Sequence, residues 1–157
     1  MFDFESYHKA RTVREAIGLL SQNPKSIPIA GGTDVLVRLR HGHPDYRHLV
    51  DIHDISELKT ITIDPDGTIR IGSGVTFSAL LDSEIITRHL PVLARGAQSV
   101  GGPQIRNMAT IGGNLCNGAP SADSAAPLLV LNAEVVLVIA NHPSPGPARR
   151  RPARSPR

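Results

Sequence analysis

The sequence predicts an α+β domain over residues 1–140, and three observations carry that prediction. Short alternating or β-branched runs bounded by Gly, Pro, Asn or Asp read as strands, while capped amphipathic stretches read as helices. A Pro65-Asp66-Gly67 turn between two apolar runs marks a hairpin. Helices do not alternate strictly with strands, which argues against a doubly wound parallel sheet.

Phe2 and Phe4, with Ser6 in phase, alternate with polar residues as a short opening strand. Thr12 and Glu15 form a capping box. The hydroxyl accepts from the third amide of the helix, and the carboxylate reaches back to the cap's own N–H. Val13, Ala16, Ile17 and Leu20 then make one apolar face, stopped at Asn23-Pro24. Ile27 to Ala30 is a brief buried strand running into Gly31-Gly32-Thr33-Asp34, and Val35 to Arg40 reads as a helix ending at Gly42. His48 to Ile52, Lys59 to Asp64 and Thr68 to Ile71 read as strands, the last two joined by the hairpin turn. Thr76 caps a helix through Leu81, a second helix runs from near His89 to Ser99, and Gly101-Gly102-Pro103 breaks it. Residues 110–123 read as a Gly/Asn/Ser-rich loop. Leu128, Leu129 and Leu131 read as core packing, and Ala133 to Ile139 as a closing strand.

Composition narrows the function classes. With 157 residues, 40% hydrophobic and 20% charged, the chain suits one soluble domain with its own core. Three Phe, two Tyr and no Trp leave few rings on which bases could stack, which argues against single-stranded nucleic acid. No apolar run reaches the roughly eighteen residues that suggest a membrane span. The start, Met-Phe-Asp-Phe-Glu-Ser, lacks the basic flank and apolar stretch of a secretory signal. One cysteine, Cys116, excludes an internal disulfide and a Cys-based zinc or iron–sulfur site, and suits a reducing, cytoplasmic setting. The net charge of +3 belongs to the last 17 residues, which hold five Arg, five Pro and no acid. Without those arginines, 12 basic residues face 14 acidic ones, a balance of −2 over residues 1–140. Residues 141–157 are therefore a separate segment. They form either a disordered basic arm or out-of-frame sequence replacing the natural continuation, and their Arg/Pro/Ala/Ser/Gly repetition favours the second.

Two glycine-rich loops carry the candidate chemistry: AGGTD at 30–34 and ATIGGNLCNGAPSAD at 109–123. Glycine pairs let successive amides converge and let a phosphate approach the main chain. In the first loop Thr33 offers a hydroxyl to a phosphate oxygen, whereas Asp34 is anionic and better suited to capping the following helix or orienting the loop. In the second, Thr110 and Ser121 supply hydroxyls, Asn114 and Asn117 amides, and Asp123 an acceptor for sugar or ribityl hydroxyls. Two such loops suit a long dinucleotide whose phosphates need amides from both sides; two plain turns are the simpler alternative. Neither GxxxxGK[ST] nor GxGxxG is present. Of three further features, the first two read as structural. Cys116 has no acid–base partner nearby. His41, His43, His48 and His53 lack accompanying metal ligands. Arg106 suits either a phosphate or a surface salt bridge.

AGGTDV at 30–35 together with QIRNMATIGGNLCNGAPSADSAAPLL at 104–129 resembles the FAD-binding subunits of the molybdenum hydroxylases, most closely the bacterial xanthine dehydrogenase type. The opening MFDFESYHKA and the stretch YRHLVDIHDISELKTI are similar too, so the resemblance spans about residues 1–140 and stops before 141–157. It implies a flavin-binding domain of the PCMH, or vanillyl-alcohol-oxidase, type, with FAD held between two subdomains. By resemblance Ile27, Pro28, Ile29, Ala30, Gly31, Gly32, Thr33 and Asp34 wrap the FAD pyrophosphate. Ala109, Thr110, Ile111, Gly112, Gly113 and Asn114 line its other side, and Asp123 hydrogen-bonds the cofactor. It implies no catalytic acid or base and no metal in this chain. Its implied partners are a molybdopterin-binding subunit that oxidises the substrate and a 2Fe–2S subunit that passes electrons to FAD, with NAD as final acceptor. Carbon monoxide dehydrogenase and 4-hydroxybenzoyl-CoA reductase flavin subunits share similar loops. Members of the family continue for well over a hundred further residues, so the chain is expected to be a truncated form with weak or absent FAD retention, and a non-catalytic remnant is the alternative to a working subunit.

Overall fold

The computed structural model describes residues 3–139. Strands β1 (Ser6–Lys9), β2 (Ser26–Ile29) and β3 (His48–Asp51) form a parallel sheet in the order β1-β3-β2. Ser6 and Ser26 both lie opposite His48, and Lys9 and Ile29 both lie opposite Asp51, so the three strands end in step. Successive residues of a strand face opposite sides, and central β3 buries both. Val50 packs with Ala10, Ala16 and Ile55 on the side of helix α1 (Val13–Gln22). Leu49 packs with Ile29 and Leu39 on the side of helix α2 (Val35–Arg40). Crossover helices on both faces are what a parallel sheet requires.

The opening strand lies further along the chain than apolar alternation predicts. Phe4 is exposed and precedes β1, and Phe2 lies outside the described residues. β1 is an edge strand whose side chains are mostly exposed, so its position follows from pairing with β3 and leaves no hydrophobic signal. The capping of α1 differs by one residue on its return leg. Glu15 N–H donates to Thr12 Oγ1 at 3.1 Å, but Glu15 Oε2 accepts from Arg11 N–H at 2.8 Å.

The second half begins with the predicted hairpin, β4 (Ile61–Ile63) against β5 (Ile69–Ile71), antiparallel with Ile61 opposite Ile71. Helices α3 (Phe77–Asp82), α4 (Glu84–His89), α5 (Pro91–Ser99), α6 (Pro103–Arg106), α7 (Ile111–Asn117) and α8 (Ala125–Val130) follow. Val75, Phe77, Leu80, Ile86, Leu93, Ala97, Val100, Ala109 and Ile111 form their shared core, with Ile61, Ile69 and Ile71 of the hairpin packed against it. Thr76 and Ser83 cap α3 and α4 by accepting from Ala79 and Ile86 N–H. The helix expected from near His89 to Ser99 is α5, which Pro91 starts; the short helix α4 that ends at His89 was not foreseen.

Two expectations fail. The segment 110–123 is not all loop, since α7 forms inside it. Thr110 Oγ1 caps that helix at Gly113 N–H, and packing overrides the low helix propensity of two glycines. Ala133 to Ile139 is not a strand among the described residues: Val135 to Ile139 are 54–71% exposed and pair with no other strand. Of the leucines read as core, Leu128 and Leu131 pack against it, but Leu129 is exposed on the outer side of α8. No helix among the described residues is long and apolar enough to cross a membrane.

Candidate functional site

The first glycine loop leaves the carboxyl end of β2. That is the edge of a parallel sheet at which backbone amides and side chains converge on ligands. Ile27, Pro28 and Ile29 belong to the strand, with Ile29 buried, and Ala30 follows it. Gly31 meets the second half of the chain directly: a Cβ there would lie 1.8 Å from the Met108 carbonyl oxygen. Gly32 has φ +73°, a left-handed conformation that glycine adopts without strain. The first amide beyond the strand with a backbone acceptor is Leu36 N–H, which donates to Gly32 O at 2.9 Å. The N–H groups of Gly31, Gly32, Thr33, Asp34 and Val35 therefore have no protein acceptor among the described residues. Successive free amides around a left-handed residue are the donor arrangement found in backbone nests. Asp34 does not cap α2 with its side chain, contrary to expectation. Its backbone already lies in the helical region (φ −101°, ψ −46°), whereas a capping side chain needs an extended one. The Asp34 carboxylate is exposed instead.

The second loop is built differently, because its amides are already in use. Ala109 O accepts from Phe77 N–H, Ile111 N–H donates to Val75 O, and Gly112 N–H donates to Ser73 O at 2.9 Å. A Cβ on Gly112 would lie 2.6 Å from both Ser73 Cβ and Ser73 O, so only glycine allows this approach. Gly113 N–H is capped by Thr110 Oγ1 at 3.1 Å, and Asn114 N–H donates to Thr110 O. Thr110 is 2% exposed, so its hydroxyl is committed to this helix start. Asn114 Oδ1 accepts from the hydroxyl of fully buried Ser124 at 2.6 Å, and Asp123 Oδ1 accepts from Ser99 at 3.0 Å. Asn114 and Asp123 thus pin the 123–124 segment against α7 and α5. Asn114 Nδ2 and Asp123 Oδ2 are left without a hydrogen bond among the described residues.

The fold brings the two loops together at the Gly31–Met108 contact. It ties their helices by Arg38 Nη2, which donates to Asn117 Oδ1 at 2.9 Å. The other amino group of Arg38 donates to Tyr46 Oη at 2.7 Å, and its guanidinium lies over the Tyr46 ring. Sequence reasoning missed Arg38; its only trace was a cation inside an otherwise apolar stretch, Val-Leu-Val-Arg-Leu.

Arg106 makes no salt bridge among the described residues. Its Nη1 donates to the carbonyls of Gln98, Val100 and Gly101 at 2.8–3.2 Å, satisfying the carboxyl end of α5. Cys116 is exposed. His48 bonds Ser6 and Glu5, and His43 lies near Asp45. No group of three His, Cys, Asp or Glu able to hold a metal occurs among the described residues. At the carboxyl end of the sheet, Lys9 holds the Asp54 carboxyl below its ordinary value, and the hydrogen bond to Asp51 pushes the Tyr7 hydroxyl up.

The two glycine loops thus meet where the halves of the chain join, and the amides of the first have no acceptor among the described residues. The chain belongs to the family described as the FAD binding domain in molybdopterin dehydrogenase, which matches residues 2–144. It is 56% identical over 135 residues to the xanthine dehydrogenase FAD-binding subunit of Escherichia coli O157:H7, covering 86% of this chain and 46% of that protein. It is 37% identical to the carbon monoxide dehydrogenase medium chain of Hydrogenophaga pseudoflava, covering 83% of this chain and 46% of that one. A solved structure of carbon monoxide dehydrogenase from that organism, lacking the Mo-pyranopterin moiety of its cofactor, superposes with a TM-score of 0.71 at 35% identity. The superposition covers 75% of this chain and 41% of that chain. The chain thus spans about half the length of the curated relatives it matches. The α+β flavin-domain fold expected from the two loops is the fold observed.

Proposed function

We propose that this chain is the nucleotide-holding part of a FAD-binding subunit in a xanthine dehydrogenase-type molybdenum hydroxylase. The observation that carries this reading is the run of unsatisfied amides from Gly31 to Val35 around left-handed Gly32. These donors fit a pyrophosphate: they are contiguous, and burying them unpaired would be costly. Thr33, half-buried within the run, adds a hydroxyl. The second loop acts as the wall behind this cradle, with Gly112 and Thr110 fixing its shape. Asn114 Nδ2 and Asp123 Oδ2 remain to meet the ligand's amide or hydroxyl groups. Identity of 56% to a xanthine dehydrogenase subunit supports the xanthine type over the carbon monoxide type at 37%.

When bound, FAD supplies a two-electron carrier, which suits transfer from a 2Fe–2S partner to NAD while a molybdopterin-binding subunit oxidises the substrate. This chain's residues hold and orient; none needs to move a proton. A single cysteine suits a reducing, cytoplasmic setting for such an assembly.

Equilibrium titration with FAD, followed by flavin fluorescence, tests the reading. Weak but saturable binding is expected of a chain that spans about half the length of its relatives, and Thr33→Glu, which sets a carboxylate among the amides, should weaken it at least about tenfold further without changing thermal unfolding. Equal affinity in the two proteins, or no saturable binding by the unsubstituted chain, would overturn it.

A further inference from the structure

We propose that Arg38 and Asn117 form a clamp that sets the spacing between the two glycine loops, making Arg38 a positioning residue for the cofactor's pyrophosphate. The inference rests on the functional reading above and extends it to Arg38, outside both loops, and to Asn117 of the second. α2 starts directly after the amide run, and Arg38 N–H donates to Asp34 O at 3.1 Å, so Arg38 lies one turn from the cradle. α7 starts directly after the Thr110 cap, and Asn117 is its last residue before left-handed Gly118. The 2.9 Å bond from Arg38 Nη2 to Asn117 Oδ1 therefore joins α2, one turn past the first loop, to the last residue of α7 within the second, 79 residues apart in sequence.

Two further features favour a positioning role over incidental contact. Arg38 is fixed on its other side by Tyr46, whose hydroxyl accepts at 2.7 Å and whose ring lies 5.3 Å from the guanidinium carbon. An anchored arginine loses less side-chain entropy in making its second bond. Arg38 also has no carboxylate partner among the described residues. Its charge therefore adds positive potential beside a concavity made for an anion. The clamp and the Gly31–Met108 approach fix the same joint from two points. Releasing the clamp leaves α2 and α7 free to separate about that approach.

A double-substitution cycle in the full chain tests this, with FAD affinity read by fluorescence and loop amide exchange read in the unliganded protein. Arg38→Met and Asn117→Ala should each weaken FAD binding about tenfold, and the double variant no further than the single ones. Asn117→Asp should keep near-normal affinity, because its carboxylate accepts a charge-assisted bond from Arg38. The hydrogen-bonded amides that close the two helix starts, Leu36, Gly113 and Asn114, should exchange faster in Arg38→Met than in the unsubstituted chain. The clamp is overturned, with the functional reading left standing, if the unsubstituted chain binds FAD but the single variants stay within about twofold of it, or if their losses multiply in the double variant. Absence of saturable binding by the unsubstituted chain overturns both.

Discussion

Gly31 has no room for a side chain, and that fact fixes much of the joint between the two halves. A Cβ at this position would stand 1.8 Å from a backbone carbonyl oxygen, that of Met108, and a carbonyl in a packed turn cannot swing away as a side-chain tip could. Gly31→Ala should therefore cost about 3 kcal/mol or more, measured by urea denaturation. Gly18 is the contrasting case. It sits on the exposed face of α1 with nothing within 4 Å of a Cβ. Gly18→Ala should raise stability by about 0.5–1 kcal/mol, the ordinary helix-interior gain. The opposite signs separate a glycine held by close approach from one that is merely tolerated. Both glycines look alike as letters, and only the packing at Gly31 tells them apart.

At the scale of elements, what the sequence predicted well was governed by local chemistry. The Thr12 and Thr76 caps, the α2 boundaries and the Asp66-Gly67 hairpin all lie where short-range hydrogen bonding puts them. What it missed was decided by distant partners. β1 is set by pairing with β3, 42 residues away, while its own residues, Ser-Tyr-His-Lys, carry no apolar alternation. Helix α7 forms despite Gly112 and Gly113 because Ile111 and Gly112 donate to the 73–75 backbone and Thr110 closes the first turn. Val135 to Ile139 shows the reverse error, in which β-branched residues predicted a strand that pairs with nothing among the described residues. An extended, uncharged apolar stretch of this kind invites edge-to-edge association. Light scattering should show association that rises with concentration and falls in Val136→Lys, with no change in urea midpoint. Equal scattering from both proteins would show that this stretch does not drive association.

For the whole molecule, two separately cored halves share one joint, and the candidate site lies at that joint. The glycine loops were legible as a pair because each sets a Gly-Gly pair before hydroxyl, amide or acid side chains, and the matched family region spans both. Their division of labour was not legible. The sequence offers amides from both loops to the pyrophosphate. In the fold, the second loop's amides at Ile111 to Asn114 all have protein acceptors, whereas those of Gly31 to Val35 have none among the described residues. Side chains nominated as ligands likewise divide. Thr110 and the Asn114 carbonyl oxygen serve the scaffold, and Thr33 remains beside the free amides. Amide-resolved NMR of the chain, titrated in parallel with FAD, ADP and riboflavin, separates these roles most directly. FAD and ADP should move the amide resonances of Gly31 to Val35 most, with Ile111 to Asn114 nearly still, and riboflavin, which has no phosphate, should leave Gly31 to Val35 in place. Larger shifts at Ile111 to Asn114 than at Gly31 to Val35, or equal effects from riboflavin and ADP, would contradict the assignment of the pyrophosphate to the first loop.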